Sequence, residues 1–204
     1  WFEVERGVMI PRSPIGELID TRLHPWTRRP PERILDLCCG TGCLGVMAGL
    51  AFPGAVVTLI DIDGRALSSA KANVLRHGLS ANVEVLQSDL FDQLNPGAYD
   101  LIIANPPYVS TAEFDQLPQE YGYEPRSGLA AGDDGLATWR SILMKIGDWL
   151  SPEGILVGET GSATVKFLNA FPSYDVFWPE LEKAARQEDG GFGVFVADAE
   201  TFLR

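Results

Sequence analysis

Strand-sized apolar runs alternate regularly with helical stretches along this chain, and that alternation limits the fold more than any other feature of the sequence. The runs at 33–38, Val56–Asp61, Val83–Gln87, Tyr99–Ala104 and 155–159 read as strands, and 42–52, 65–77, 136–150 and 163–170 read as helices. Leu101-Ile102-Ile103-Ala104 is apolar at consecutive positions, as expected of a parallel strand covered on both faces. The pattern predicts an α/β fold with a doubly wound, mainly parallel sheet. Asp63 and Gly78 supply start and stop signals for the second helix. At the front, Phe2, Val4, Val8 and Ile10 predict a short β-hairpin, and Ser13-Pro14 the N-cap and first residue of a helix through Leu23. In the tail, 174–178 and 194–197, around Gly190-Gly191, predict an antiparallel C-terminal edge.

Composition narrows the class of molecule. The 204 residues, 46% hydrophobic and 22% charged, suffice for one well-buried domain. No apolar run approaches the roughly 20 residues of a membrane span, and the start resembles neither a signal nor a transit peptide. The chain opens Trp-Phe-Glu without an initiator Met, so it reads as part of something longer. Cys38, Cys39 and Cys43 are too crowded and odd in number for a disulfide framework, which predicts a reducing, cytoplasmic setting. His24 and His77 lie far from them in sequence, so no metal site is expected. A net charge of −12 opposes approach to a phosphate backbone and favours a basic protein partner.

Asp36-Leu37-Cys38-Cys39-Gly40-Thr41-Gly42 falls where the first strand must turn into its helix, and glycine there lets a ligand approach the backbone. The embedded Gly40-x-Gly42-x-x-Gly45 also fits a dinucleotide fingerprint. Asp61 ends the second strand and can accept the hydroxyls of an unphosphorylated ribose, or serve only as a turn cap beside Asp63. Asp89, in Ser88-Asp89-Leu90, places another carboxylate at the same edge, suited to an adenine amino group.

Asn105-Pro106-Pro107-Tyr108 follows directly on the fourth strand, at the rim of the same crevice. A planar NH₂ brings two hydrogens and needs two acceptors. The Asn105 side-chain oxygen and the Pro106 carbonyl can provide them, the prolines fixing φ and adding no competing N–H. Tyr108 can stack on the planar group. An amide nitrogen is a weak nucleophile because its lone pair is delocalised, so a site that draws its hydrogens out of plane favours the reactive form.

These motifs together resemble the class I methyltransferases, and specifically the bacterial protein-glutamine N5-methyltransferases related to HemK. The likeness extends through Phe91, Glu124-Pro125 and Leu129-Ala130-x-Gly132-x-x-Gly135-Leu136. It implies a Rossmann-like sheet at 32–204, preceded at 1–31 by a hairpin and helix that lead from a helical substrate-recognition domain lying before this chain. It implies S-adenosylmethionine as cofactor and S-adenosylhomocysteine as product, with Asp36, Cys38, Cys39, Gly40, Thr41 and Gly42 at the methionine part. Asp61 with Ile62 would lie at the ribose, Asp89 with Leu90 at the adenine, and Asn105 beside both cofactor and acceptor. Asn105, Pro106, Pro107 and Tyr108 would bind the glutamine and carry the catalysis, and Arg12 would close over cofactor or substrate unless it forms a plain surface ion pair. The segment 10–19 and Gly190-Gly191-x-Gly193-Val194-Phe195 resemble the branch that modifies a large-subunit ribosomal protein. The other branch modifies peptide release factors at Gly-Gly-Gln.

Three rivals remain open in the sequence. A DNA adenine N6-methyltransferase poses the same donor problem, although 16 basic against 28 acidic residues leave no evident phosphate stripe and no sequence-specific nucleic-acid partner is expected. A nicotinamide dehydrogenase would use the glycine turn but leave 105–108 unexplained. An adenosine-nucleotide sensor would share the pocket and transfer nothing.

Overall fold

The computed structural model describes residues 1–95, 97–118, 124–182 and 193–202. Six strands form one sheet: β1 (Arg33–Leu37), β2 (Val56–Asp61), β3 (Val83–Gln87), β4 (Tyr99–Ala104), β5 (Leu150–Glu159) and β6 (Val194–Asp198). Their order is β3-β2-β1-β4-β5-β6, parallel from β3 to β5, with β6 antiparallel to β5. The helices are α1 (Ile15–Asp20), α2 (Cys43–Ala51), α3 (Gly64–Arg76), α4 (Thr111–Phe114), α5 (Ala137–Lys145) and α6 (Thr164–Ala170).

The consecutive apolar residues of the strands serve two cores. Leu101 and Ile103 point to one face, where Ile34, Val57 and Leu59 pack beneath Ile19 of α1, Val46 of α2 and Val74 of α3. Ile102 and Ala104 point to the other, with Leu35, Leu37 and Ile60 beneath Trp139 and Ile142 of α5 and Phe167 of α6. A strand covered on both sides has no polar face to offer water, which is why alternation is missing from its sequence.

The expected N-terminal hairpin does not form. The chain turns at Glu5, whose carbonyl accepts from Val8 N–H at 3.1 Å, but its flanks find no strand partner. Glu3 N–H donates to Asn73 Oδ1 (2.6 Å), Asn73 Nδ2 donates back to the Glu3 carbonyl (2.9 Å), and Glu5 N–H donates to Ser69 Oγ (3.2 Å). Polar side chains of α3 thus take the backbone groups that a second hairpin arm would have taken.

Other boundaries shift for local reasons. The first helix stops at Asp20, because Arg22 and Leu23 adopt left-handed φ values of 53° and 59°, a turn that carries Leu23 into the core. Pro14 occupies the N-cap position, while Ser13 Oγ still accepts from Ile15 N–H at 3.3 Å. The stretch expected as one helix over 136–150 is α5 followed by a 3₁₀ turn at Ile146–Asp148, after which β5 begins early, at Leu150. Of the tail, Val194–Asp198 forms the antiparallel edge, but 174–178 contributes only an isolated bridge between Phe177 and Val196. Gly190 and Gly191 lie outside the described residues.

Trp139 anchors the second core. Its ring meets Phe167 and Phe195 at centroid separations of 5.5 and 5.2 Å, and its Nε1–H donates to the Glu159 carbonyl at 3.2 Å. Trp139→Ala should therefore cost about 3–5 kcal/mol of folding stability, measurable as a lowered midpoint in urea unfolding.

Candidate active site

β1 is hydrogen-bonded to β2 on one side and β4 on the other, so the segments that leave β1 and β4 emerge as neighbours at the carboxyl edge of the sheet. They border a cavity of about 340 Å³, within the range of small-molecule sites. Cys38, Gly40, Asp61, Ile62, Asp89, Leu90, Asn105 and Pro107 all line it. A second, smaller cavity of about 30 Å³ adjoins it, bordered by Asp36, Cys38, Cys39, Gly40, Thr41 and Asn105. Cys38, Gly40 and Asn105 therefore face both spaces.

Three of the expected residues stand back from these cavities. Gly42 lines neither; it is the left-handed N-cap of α2 and packs on Leu59 and Ala70. Pro106 is buried in the loop behind its neighbours. Tyr108 turns toward the end of β5, where its Oη donates to Glu159 Oε1 at 3.0 Å. Two glycines make room for it: a Cβ at Gly161 would sit 2.3 Å from the Tyr108 ring, and one at Gly135 would sit 2.3 Å from its carbonyl oxygen.

The carboxylates are fixed by backbone donors. Asp61 accepts from Gly40 N–H (2.8 Å) and Asp63 N–H (2.9 Å), one on each oxygen, and keeps lone pairs for a ligand. Its burial raises the carboxyl pKa, against the lowering effect of those N–H groups. Asp36, almost wholly buried at the end of β1, accepts from Gly45 N–H at 2.8 Å. Burial, reinforced by Asp61 nearby, lifts its pKa from 3.8 to about 7 even though Gly45 pulls it down. The pair of oxygens is thus primed for a cation, which would restore the charged form. Burial and the neighbouring aspartates push the Cys38 and Cys39 thiols well up, which keeps them protonated and unreactive.

Asn105 differs from these groups. Among the described residues, its side-chain amide has no hydrogen-bond partner, and no N–H is bonded to the Pro106 carbonyl. The Asn105 side-chain oxygen is thus an open acceptor at the cavity rim, with the Pro106 carbonyl unbonded one residue behind it.

The N-terminal segment crosses over this site. Val8 and Met9 wall the larger cavity, and Met9, Pro11, Arg12 and Ser13 wall the smaller one. Arg12 makes a two-pronged bond to Glu124, Nη1 to Oε1 at 2.8 Å and Nη2 to Oε2 at 3.1 Å. Because Pro125, Gly128 and Ala130 wall the cavity from the far side, that ion pair ties its two flanks together. Ser13 Oγ donates to Glu159 Oε2. Glu159 was not among the residues expected in the site. Its signal in the sequence is a carboxylate closing an otherwise apolar strand.

The described residues hold no cluster of three metal-binding side chains, and all three cysteines are free. None of their helices is long and apolar enough to cross a membrane.

Asp36 makes stability depend on pH. Its folded carboxyl holds a proton up to about pH 7, whereas the ordinary value is 3.8. Between those values the unfolded state binds fewer protons, so stability falls as pH rises. Relative to Asp36→Asn, the ligand-free protein should lose up to about 4 kcal/mol across that interval, read from denaturant midpoints of both proteins at a series of pH values.

A family model described as "Methyltransferase small domain" matches residues 22–120. The ribosomal protein uL3 glutamine methyltransferase of Bordetella pertussis is 44% identical over 188 residues, 91% of this chain and 63% of that protein. The corresponding protein of Francisella tularensis is 38% identical over 96% of this chain and 61% of its own length. The chain thus spans about three fifths of the length of these curated relatives. A crystal structure of a methyltransferase from Pyrococcus furiosus superposes with a TM-score of 0.62 at 20% identity, covering 96% of this chain and 86% of that one, and shares the fold. Along nearly its whole length, and over about three fifths of theirs, the chain is similar to proteins named ribosomal protein uL3 glutamine methyltransferase.

Proposed function

We propose that this chain is the methyl-transfer domain of an enzyme that uses S-adenosylmethionine to methylate the side-chain nitrogen N5 of a glutamine in a ribosomal protein, uL3 being the substrate named for its relatives. The observation that carries this reading is the Asn105 amide, unbonded among the described residues and facing both cavities.

The residues present fit the cofactor. Asp61 and Asp89 offer acceptors for hydroxyl and amino groups, Ile60, Ile62 and Leu90 offer apolar walls for a flat ring, and Asp36 offers a carboxylate suited to an ammonium. When bound, the cofactor supplies an electrophilic sulfonium methyl. The chain supplies position. Asn105 Oδ1 and the Pro106 carbonyl each accept one hydrogen of the acceptor NH₂, which draws those hydrogens from the amide plane and frees the nitrogen lone pair. Alignment of nucleophile and electrophile contributes by proximity. The nitrogen loses a proton once it carries the methyl, so a strong general base is not needed.

The net charge of −12 suits a basic ribosomal protein better than a phosphate backbone. Such a substrate would place the reaction in the cytoplasm. Tyr108 and Arg12 support the acceptor side in this reading: Tyr108 by bracing the loop, Arg12 by holding the N-terminal segment against Glu124.

Asn105→Ala should abolish transfer of labelled methyl from S-adenosylmethionine to purified uL3, with S-adenosylhomocysteine affinity by calorimetry within about threefold of wild type, since uncharged rim contacts carry little binding energy. Retained turnover in that variant, or label appearing on nucleic acid instead of protein, would count against the reading.

A further inference from the structure

Glu159 is 5% exposed and ends β5 one strand away from the acceptor loop. A buried carboxylate is costly unless its oxygens are satisfied. Here each oxygen serves a different segment: Oε1 accepts from Tyr108 Oη of the 105–108 loop, and Oε2 accepts from Ser13 Oγ of the N-terminal segment. Its own backbone is held as well, since Trp139 Nε1–H donates to its carbonyl. The group is therefore mounted on the core and holds two separate segments of the rim. Neither contact belongs to the hydrogen-bond ladders of the sheet. Burial raises the Glu159 pKa, while Ser13, Tyr108 and the nearby Arg12 guanidinium lower it, so the carboxylate depends on those three partners.

We propose that Glu159 is a positioning residue for methyl transfer: by holding Tyr108 and Ser13 on its two oxygens, it sets the acceptor loop and the covering N-terminal segment at a fixed mutual distance. This deepens the function proposed above and rests on it for the identity of the acceptor. Glu159 touches neither cavity, so its effect passes through Tyr108 and Ser13. Without it, the Tyr108 hydroxyl loses its bond to β5 and the loop carrying Asn105 gains freedom, which degrades alignment and leaves the cofactor pocket intact.

The test uses Glu159→Ala, Glu159→Gln, Tyr108→Phe and the double variant Glu159→Ala/Tyr108→Phe in this chain. Glu159→Ala should lower kcat roughly 100-fold, the scale of an ångström-sized misplacement, with the Kd for S-adenosylhomocysteine unchanged. Glu159→Gln should recover to within about tenfold of wild type, because its amide oxygen still accepts the Tyr108 hydroxyl. The double variant should be no worse than Glu159→Ala, the signature of two residues acting as one. Independently of turnover, hydrogen–deuterium exchange should accelerate in peptides covering 8–15 and 105–112 in Glu159→Ala and only in 105–112 in Tyr108→Phe. Unchanged exchange at 105–112 in Glu159→Ala overturns the proposal, as does a loss that falls equally on kcat and cofactor affinity. If Glu159→Ala fails to fold, Tyr108→Phe and Glu159→Gln decide: slow, wild-type exchange at 105–112 in Tyr108→Phe overturns it. A wild-type chain that binds S-adenosylhomocysteine but methylates nothing would sink the proposed function alone, and the exchange results would still judge Glu159.

Discussion

The chemistry at the carboxyl edge depends on β1 having hydrogen-bonded neighbours on both sides. Strand order reverses there, so the helices that follow β1 and β4 must lie on opposite faces of the sheet, and a crevice opens between their connecting segments. Backbone bonds then fix that crevice. Cys39 N–H donates to the Ile60 carbonyl at 2.9 Å and Gly40 N–H to the Asp61 carboxylate, so the turn after β1 is pinned to the end of β2. The cavity walls thus inherit the rigidity of the sheet, and a ligand need not order them.

The molecule accepts electrostatic cost in order to keep carboxylates at this edge. Asp36 and Glu159 are both nearly buried at strand ends, and desolvation pushes both pKa values up. Their partners differ. Asp36 has one backbone donor and faces a cavity, so part of its capacity is left for something that enters. Glu159 is spent on the protein itself, one oxygen for each of two segments. The first arrangement favours recognition and the second favours geometry, although both begin as an acidic residue closing an apolar strand.

The strands and long helices were legible because their signals are local. Val56–Asp61, Val83–Gln87 and Tyr99–Ala104 begin and end where apolar runs meet turn residues, and Asp63 caps α3 through its own side chain, as its position in the sequence suggests. The glycine turn, Asp61, Asp89 and Asn105 could be placed for a related reason: in a doubly wound sheet, topology alone brings strand ends together. The expected hairpin is absent because apolar alternation in 2–10 says nothing about partners, and the partners are Asn73 and Ser69, 70 and 64 residues away. Glu159 went unnoticed for the same reason. Its meaning lies in Tyr108 and Ser13, at separations of 51 and 146 residues, and no periodicity encodes contacts of that kind.

The seat of Tyr108 has a consequence for how such a chain can drift over generations. Gly135 and Gly161 each leave space that a single methyl group would close, and the atoms that would be struck belong to the same tyrosine. Neither glycine borders the cavities, so selection on ligand recognition would not guard them directly. They are guarded through the aromatic ring and carbonyl they accommodate. Codons 108 and 161 therefore form one heritable pair, in which a side chain at 161 demands a smaller residue at 108, whereas Gly135 faces main chain and no exchange at 108 can answer its loss.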